Sequence, residues 1–304
     1  MPRRVKIVEV GARDGLQNEA DPVPTPTKVE LINRLSATGL SCIEATSFVS
    51  PRWIPQLADA SDVFTAIDRR PGVTYPVLVP NERGMERALK AGATTIAIFN
   101  AASDAFNRRN INASIDEAFK RLEIVAAVAR RENVAMRGYV SCVLGCPYQG
   151  TISPSQVSRV ARQMYELGCY EISLGDTIGI GTPKKAQEML AAVATQIDID
   201  KLAVHFHDTR GQALANVLAC LELGAATIDA SVAGLGGCPY AEGASGNLAT
   251  EDLVYMLHGM DIETGIDLEA LIGAGRFITE AMGRNPASRL GRLPEKRRDP
   301  RYST

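Results

Sequence analysis

The sequence predicts a (β/α)8 TIM barrel, on three observations. Apolar runs of strand length occur near 5–10, 42–48, 74–79, 95–100, 135–143, 171–175, 202–207 and 227–233. A longer helical pattern follows each of these runs. No linker-like composition separates the units along the 304-residue chain. Strand-then-helix repeated eight times is typical of a closed parallel barrel, and an open doubly wound sheet is the alternative.

A repeated phrase marks the joints between helices and strands. It reads TGLSCIEA, AGATTIAI, LGCYEISL and LGAATIDA, and each copy has a Gly four residues before an Ile. These glycines are Gly39, Gly92, Gly168 and Gly224. Glycine accepts the left-handed backbone conformation that commonly ends a helix. We therefore expect each of them to end one helix just before a barrel strand.

Polar residues and prolines mark where several helices begin. Capping patterns occur at Thr27 with Glu30, Ser114 with Glu117, Ser153-Pro154 with Gln156, and Thr182-Pro183. A further apolar helix is predicted over 267–283, outside the barrel or across one end. We expect residues 1–291 to form a single domain that includes this helix. Residues 292–304 are basic and poor in apolar side chains, which predicts a polar tail.

The composition is that of a globular protein with 45% hydrophobic residues, 22% charged residues and a formal net charge of −2. The charge shows no basic footprint for nucleic acid, and no apolar run approaches the roughly 18 residues of a transmembrane helix. Six cysteines without a CxxC pair favour a reducing compartment. A strand pattern that starts at Val5 leaves no room for a signal peptide. We therefore expect a cytoplasmic protein with no nucleic-acid or membrane partner.

Two of the three histidines lie two residues apart, in LAVHFHDT. Alternation along a strand sends His205 and His207 to the same face, while Val204 and Phe206 point to the surrounding helices. In a barrel both imidazoles then point inward near the carboxyl end of the strand, where barrel active sites lie. Histidines bonded to core backbone groups are the alternative, but two inward imidazoles are hard to satisfy in an apolar core. The pair therefore indicates a metal site.

The end of the first strand, VEVGARDGLQNE, offers a carboxylate at the same mouth of the barrel. Asp14 could be only a turn residue, but beside the histidines it becomes a natural third ligand. Oxygen and imidazole donors suit a divalent ion such as Mg2+ or Mn2+, with zinc as an alternative. Arg13 would place a permanent cation beside the metal, suited to an oxyanion that develops during a reaction.

The last barrel strand continues into a glycine-rich loop, SVAGLGGCPYAEGASGN. Such loops at the carboxyl face of a barrel commonly hold a ligand or close over it. Cys238 stands in the middle of the loop, where core packing is a poor explanation, so we interpret it as a reactive thiol. Asn247 could be an N-cap for the next helix or supply an amide oxygen to the metal, and its position alone does not decide between them.

Further polar residues lie at the same end of the predicted barrel. Glu44, inside the apolar run CIEATSF, needs a partner such as Arg13 or a catalytic water. Asp176, in GDTIGIGTP, could orient a substrate or fix a turn, and this loop lacks the glycine patterns of nucleotide sites. Arg137 and the segment NRRNIN (107–112) carry positive charge where a phosphorylated or carboxylated substrate could rest, although solvated surface is the default interpretation of Arg108 and Arg109.

Three of these segments resemble one known family. VEVGARDGLQNE, HFHDTRG and SVAGLGGCPYAEGASGN are similar to the motifs of the 3-hydroxy-3-methylglutaryl-CoA (HMG-CoA) lyases, and the resemblance runs from Val5 to about Gly283. It implies that the metal ligands are Asp14, His205, His207 and Asn247. It further implies that Arg13 stabilises an oxyanion, that Cys238 is the catalytic thiol on a closing loop, and that Glu44 is an active-site acid.

The resemblance implies an acyl-CoA substrate, a divalent metal cofactor and a homodimer. The expected reaction is a retro-Claisen cleavage of HMG-CoA to acetoacetate and acetyl-CoA. A lyase for a longer-chain 3-hydroxyglutaryl-CoA would keep every catalytic residue and is the first alternative. A Claisen-condensing synthase is a weaker one, because the synthases lack this cysteine loop. A binding protein without activity would lack at least one of the expected catalytic groups, but every one of them is present.

Overall fold

The computed structural model describes residues 1–238 and 241–294, without the side chains of 237–238 and 241–245. Its main sheet is parallel and contains nine strand segments. These are β1 (Lys6–Glu9), β2 (Cys42–Ile43), β3 (Thr46–Ser47), β4 (Val77–Leu78), β5 (Thr95–Ala101), β6 (Ala135–Ser141), β7 (Glu171–Asp176), β8 (Leu202–Phe206) and β9 (Thr227–Ala230). An antiparallel hairpin follows, formed by β10 (Gly237–Cys238) and β11 (Ala241–Ser245).

The sheet closes into a barrel through one stretch of chain. In the sheet order, β2 stands at one end beside β1 and β3 at the other end beside β4. Only Glu44 and Ala45 separate β2 from β3, and the backbone of this short connection forms hydrogen bonds to the chain on both sides. The amide of Glu44 donates to Glu9, and the amide of Ala45 donates to Pro76. The nine segments therefore make eight barrel strands, which confirms the predicted TIM barrel and rules out the open sheet.

Helices follow each barrel strand and cover the outside of the sheet. They are α1 (Thr25–Ser36), α2 (Ala60–Ala66), α3 (Glu82–Lys90), α4 (Asp104–Ile111), α5 (Ile115–Arg131), α6 (Pro154–Glu166), α7 (Pro183–Ala194), α8 (Ala213–Glu222), α9 (Thr250–Gly259) and α10 (Leu268–Ala281). The additional C-terminal helix predicted over 267–283 is α10. Helix α4 was not predicted, because it is short and stands directly before α5. Within the described ranges, no helix has the length and apolar character needed to span a bilayer.

The predicted helix ends are mostly confirmed. Gly39, Gly92, Gly168 and Gly224 all have φ between 81° and 103°, as the left-handed joints require. The Ser114–Glu117 capping box is formed in both directions. Ser153 accepts a hydrogen bond from the amide of Gln156, whereas Thr182 stands at the cap position without such a bond. The box predicted at Thr27 is wrong, because α1 already begins at Thr25, directly after Pro24.

The C-terminal end of the described chain packs back onto the barrel. The amides of Ala287 and Ser288 donate to the carbonyl of Ala233, and Arg276 donates to the carbonyl of Leu293. Most of the predicted polar tail, from residue 295 onward, lies outside the described residues. The division into a domain over 1–291 and a tail over 292–304 stays a prediction.

The inside of the barrel is ionic below the active end. Arg137 on β6 is completely buried and binds Asp229 on β9 with both terminal nitrogens, at 3.1 and 2.7 Å. Its Nε donates to Glu171 on β7 at 2.6 Å, and Lys6 on β1 also binds Glu171. The suggestion that Arg137 meets a substrate is therefore wrong. Its charge is neutralised by Asp229 and Glu171 inside the barrel, where an unpaired ion would strongly destabilise the fold.

Candidate active site

A tight turn after β1 points two neighbouring charged residues at the mouth of the barrel. The turn is a single π-helical loop, Gly11–Gly15. The amides of Arg13, Asp14 and Gly15 all approach the carbonyl oxygen of Val10, at 3.2, 2.7 and 3.1 Å. This convergence fixes the backbone of the turn, and both Arg13 and Asp14 line the same cavity.

The two histidines meet Asp14 across the barrel mouth. His205 is the penultimate residue of β8, His207 directly follows the strand, and their ring centroids are 5.3 Å apart. Nε2 of His205 lies 4.0 Å from Oδ2 of Asp14. One ligand atom from each of the three residues can be chosen so that all lie within 4.8 Å of one another. Nδ1 of His207 is buried without a hydrogen-bond partner in the described part of the chain, so a cation would fit this donor set.

Asn247 comes to this cluster from the far end of the hairpin. Its backbone forms a bridge with His207, and its Nδ2 donates to Oδ2 of Asp14 at 2.9 Å and to the carbonyl of Leu235 at 3.2 Å. The cap residue of α9 is Ala249, so the N-cap alternative for Asn247 is wrong. The side-chain amide of Asn247 therefore lies beside the carboxylate of Asp14, and its role as a metal ligand stays a prediction.

The ionisable groups of the cluster titrate far from their usual values. Burial alone would raise the pKa of Asp14, but the adjacent Arg13 guanidinium, helped by both histidines, lowers it to about 2. Burial lowers the pKa of His207 to about 4, with repulsion from His205 acting in the same direction. Burial also opposes the charged form of His205, but Asp229 and Asp14 outweigh it and raise its pKa. At neutral pH Asp14 is therefore an anion and His207 a neutral imidazole with a free lone pair.

Arg13 is held in place by an acid below it. Glu44 is completely buried, and its Oε2 accepts hydrogen bonds from Nε of Arg13 at 2.8 Å and from the hydroxyl of Tyr139 at 3.1 Å. The guanidinium lies over the ring of Tyr139, with Cζ 5.5 Å from its centroid. The other carboxylate oxygen, Oε1, has no partner among the described residues. The structure thus identifies Arg13 as the charged partner that Glu44 needed.

The two charges affect each other's titration. Burial raises the pKa of Glu44 above its usual value, and the attraction of Arg13 only partly offsets this effect. Burial disfavours a charged Arg13, but Glu44 and then Asp14 outweigh it and raise its pKa further. Arg13 is therefore a permanent cation whose direction is fixed before any ligand arrives.

A cavity of about 660 Å3 opens above these residues. Its inner end is lined by Arg13, Asp14, His205 and His207. Its outer end is lined by Trp53, whose side chain is 72% exposed, and by several residues of α4 and α5 that include the exposed Arg109 and Arg121. The guanidinium of Arg109 also lies 4.4 Å from the ring centroid of Tyr148. The volume is within the range of small-molecule sites, and a charged inner end below a basic rim suits an anionic ligand.

Comparison with known proteins identifies the family. The HMGL-like family model matches residues 4–278. The mitochondrial hydroxymethylglutaryl-CoA lyase of Rattus norvegicus is 58% identical over 290 residues, which cover 95% of this chain and 89% of that protein. This chain belongs to the HMG-CoA lyase family. The mitochondrial lyase of Gallus gallus is 59% identical over 289 residues, covering 95% of this chain and 97% of the relative.

Solved lyase structures have the same fold as this lyase. The hydroxymethylglutaryl-CoA lyase of Pseudomonas aeruginosa superposes with a TM-score of 0.94 at 52% identity, covering 96% of this chain and 97% of that chain. An HMG-CoA lyase from Acinetobacter baumannii, in complex with coenzyme A and 3-methylmalate, gives a TM-score of 0.92 at 39% identity, with 98% of both chains covered. The family and the barrel expected from the sequence motifs are confirmed.

Asp176 stands apart from the cluster of this lyase. It ends β7, is completely buried, and accepts hydrogen bonds from the amides of Ile180 and Gly181 at 3.3 and 2.8 Å. Burial raises its pKa, and those two amides offset only part of the effect. These contacts match the turn-fixing alternative, and Asp176 is not among the residues that line the cavity.

The loop that carries Cys238 is anchored against the turn after β1. Gly236 has φ of 100°, and a Cβ built there would lie 2.8 Å from Nδ2 of Asn247 and 3.2 Å from the backbone of Gly15. The expected loop thus approaches Asn247 and the turn after β1 closely and continues into the β10–β11 hairpin. The side chain of Cys238 and residues 239–240 lie outside the described part of the structure, so the proposed role of the thiol stays a prediction.

Two buried glutamates that the sequence interpretation missed hold the start of this loop. Glu9 accepts hydrogen bonds from the amides of Gly11 and Val232, both at 2.8 Å, and therefore ties the first turn to the loop. Both oxygens of Glu251 lie 2.9 Å from the amide of Ala233, whose φ is 57°. Burial raises the pKa of Glu9 to about 7 and that of Glu251 to about 8, the latter with some repulsion from Glu9.

These raised pKa values predict that stability falls as the pH rises from about 4.5 to about 8. The unfolded chain releases the two protons near pH 4.5, whereas the folded chain retains them to about pH 7 and 8. The stabilisation is complete below the unfolded pKa and is lost as the pH rises through the folded pKa. Each group then contributes a slope of about 1.4 kcal/mol per pH unit. We expect Glu251→Gln to flatten the fall in the free energy of unfolding between pH 6 and 8, measured by urea denaturation.

A matched control is Glu86→Gln, which removes an exposed glutamate on α3. It should leave the pH dependence of the wild-type protein unchanged. Equal slopes for the Glu251→Gln variant and the wild type would contradict the prediction.

Proposed function

We propose that this enzyme cleaves HMG-CoA to acetoacetate and acetyl-CoA by metal-assisted retro-Claisen chemistry. The observation that carries the proposal is one cluster at the bottom of the cavity. There, ligand atoms of Asp14, His205 and His207 lie within 4.8 Å of one another beside the buried Arg13–Glu44 ion pair. The lyases most similar to this chain by name and by structure support the same carbon–carbon bond cleavage.

The cation is proposed to be Mg2+ or Mn2+, held by Asp14, His205, His207 and Asn247. When bound, it supplies Lewis acidity that lowers the pKa of the substrate's tertiary hydroxyl. The low pKa of Asp14 keeps it anionic, and the low pKa of His207 keeps its lone pair free, so both can bind a cation at neutral pH. Asn247 adds a neutral oxygen donor, which suits a hard divalent ion.

Arg13 is proposed to stabilise the negative charge that develops on the thioester oxygen. When the bond between the two carbons breaks, the hydroxyl has passed its proton to a solvent water acting as base, acetoacetate leaves, and the electron pair remains on the acetyl-CoA fragment as an enolate. A fixed guanidinium binds this enolate oxygen more strongly than the neutral carbonyl of the substrate. Glu44 and Tyr139 hold the guanidinium in place, so the stabilisation requires no rearrangement during the reaction.

Cys238 is proposed to complete the reaction by delivering a proton to the enolate carbon. Its loop starts beside the metal cluster, because Gly236 packs against Asn247 and Gly15. A loop that closes here would exclude water from the enolate and bring the thiol to it. We retain Asp176 as a predicted substrate contact, although its contacts support a role in fixing the turn.

The outer end of the cavity is proposed to receive the coenzyme A portion of the substrate. Arg109 and Arg121 place two exposed cations at the rim, where phosphate groups would be attracted. The complex of the Acinetobacter baumannii lyase with coenzyme A supports an acyl-CoA ligand.

We further propose a cytoplasmic homodimer. The dimer follows from the family resemblance. The cytoplasmic location is supported by the five described cysteines, which are all free, as in a reducing compartment. Light scattering of the purified protein tests the dimer directly.

The experiment that tests the function measures acetoacetate release from HMG-CoA by the purified, reduced enzyme. We expect EDTA to lower the rate by at least about 100-fold, since a metal contributes several kcal/mol to such a transition state, and added Mg2+ to restore it. A 3-hydroxyglutaryl-CoA with a longer alkyl chain is assayed beside it. Cleavage of only the longer substrate would replace the substrate assignment, and cleavage of neither would refute the lyase proposal.

A further inference from the structure

One imidazole of the metal cluster has a second carboxylate behind it. His205 on β8 is in register with Asp229 on β9, and the two side chains meet inside the barrel. Nδ1 of His205 lies 3.4 Å from Oδ2 of Asp229, while its Nε2 is directed toward Asp14. The 3.4 Å separation is longer than a well-formed hydrogen bond, and Nδ1 is buried without a hydrogen bond to any described residue, so Asp229 is an acceptor that faces an unsatisfied nitrogen.

Asp229 cannot turn away from this position. Arg137 binds both of its oxygens, and the hydroxyl of Ser173 donates to Oδ2 at 2.7 Å. Both Asp229 and Arg137 are almost completely buried, so water cannot replace these partners. The ionic interior of the barrel therefore holds one carboxylate oxygen against the inner nitrogen of His205.

We propose that Asp229 is a positioning residue for the metal site: it holds His205 with the proton on Nδ1 and the lone pair on Nε2. A carboxylate only accepts hydrogen bonds, and both ring nitrogens of His205 face one: Asp229 lies 3.4 Å from Nδ1, and Asp14 lies 4.0 Å from Nε2. Because Asp14 would share a bound cation with Nε2, Nδ1 is the nitrogen that keeps the proton of a neutral imidazole. The lone pair is then on Nε2, the nitrogen directed toward Asp14. This inference rests on the proposed metal site and extends it to a residue that touches neither metal nor substrate.

His207 provides a contrast within the same cluster. Among the described residues, its buried Nδ1 has no hydrogen-bond partner and no carboxylate forms an ion pair with the ring. Within the described part of the chain, His205 is therefore the imidazole of the pair that a carboxylate faces from inside the barrel. Removing a residue that orients a metal-binding histidine commonly lowers the metal affinity by about 10- to 100-fold.

The test measures Mn2+ affinity without substrate, by electron paramagnetic resonance, for the wild type, Asp229→Ala and Glu171→Ala. Both variants remove one carboxylate partner of Arg137, but only Asp229→Ala removes the partner of His205. We expect Mn2+ binding to weaken by about 10- to 100-fold in Asp229→Ala and to stay nearly unchanged in Glu171→Ala. Equal affinities in the two variants would overturn the positioning role, whereas a wild type that binds no Mn2+ would overturn the metal site itself.

A measurement on the wild type keeps the inference testable if Asp229→Ala does not fold. Long-range 1H–15N spectra of histidine-labelled, Mg2+-loaded protein show which ring nitrogen carries the proton, with His205→Gln used for assignment. We expect the proton of His205 on Nδ1. A proton on Nε2 would overturn the proposal.

Discussion

Arg13→Gln should lower kcat/KM for HMG-CoA by about 100- to 10,000-fold, the range typical of removing a single charge-stabilising group. Glutamine can still donate a hydrogen bond to Glu44, but it carries no charge for the enolate oxygen. The loss should appear mainly in kcat, because the charge develops only in the transition state. Steady-state kinetics on the Mg2+-loaded enzyme measure the effect.

A suitable control is Arg69→Gln. Arg69 also lies over an aromatic ring, that of Phe64, and donates to the carbonyl of Gly92, but it is not among the residues that line the cavity. It should retain wild-type kinetics, and circular dichroism should show that both variants are folded. Near-normal turnover of Arg13→Gln would refute the oxyanion role of this residue.

Cys238→Ala should lower kcat by a similar factor, about 100- to 10,000-fold, because it removes the proposed proton donor to the enolate carbon. KM should change little if the thiol acts only after the carbon–carbon bond is broken. In the wild type, alkylation of the thiol should abolish turnover, and bound substrate should slow this inactivation.

Cys169→Ala separates the loss of a catalytic thiol from the loss of a buried side chain. Cys169 is buried and packs in the outer layer of the barrel, where Gly138 is its neighbour. This variant should lose some stability but retain activity. If Cys238→Ala turned over HMG-CoA at the wild-type rate, another group would have to protonate the enolate.

The barrel was predictable because each of its units carries a local signal. The glycines at helix ends, such as Gly92 and Gly168, mark the joints directly, and apolar runs follow them. The errors occurred where two signals competed within a few residues. At the start of α1, Pro24 and Pro26 determine the beginning of the helix, so the pattern at Thr27 falls inside it. The short α4 was missed because the capping signal of α5 follows it almost immediately.

The predicted cluster came together because the strand ends of a barrel share one rim. His205 and His207 followed from alternation, and Asp14 from its place after β1. Asn247 could not be assigned from its position, because its contact with Asp14 depends on how the hairpin returns. Its nearest signal in the sequence, the start of a helix, made a cap an equal alternative.

The residues behind the cluster were missed for a different reason. Asp229 and Arg137 are 92 positions apart in the chain, so neither suggests the other in the sequence. Arg137 was therefore interpreted as a free positive charge. A signal was present in strand β9, where Thr227 and Asp229 alternate with apolar residues and so share one face. Inward-facing polar residues on a barrel strand indicate an ionic interior.

The π-helical turn after β1 also restricts how this segment can change during evolution. Three amides converge on one carbonyl, that of Val10, and this convergence makes two consecutive side chains, Arg13 and Asp14, line one cavity. Inserting or deleting a single residue between Val10 and Leu16 would rotate one of them away. The turn near Gly72, where an added Cβ would meet nothing within 4 Å, has no such restriction. Homologous lyases should therefore vary in length near Gly72 but keep the same number of residues in the turn after β1.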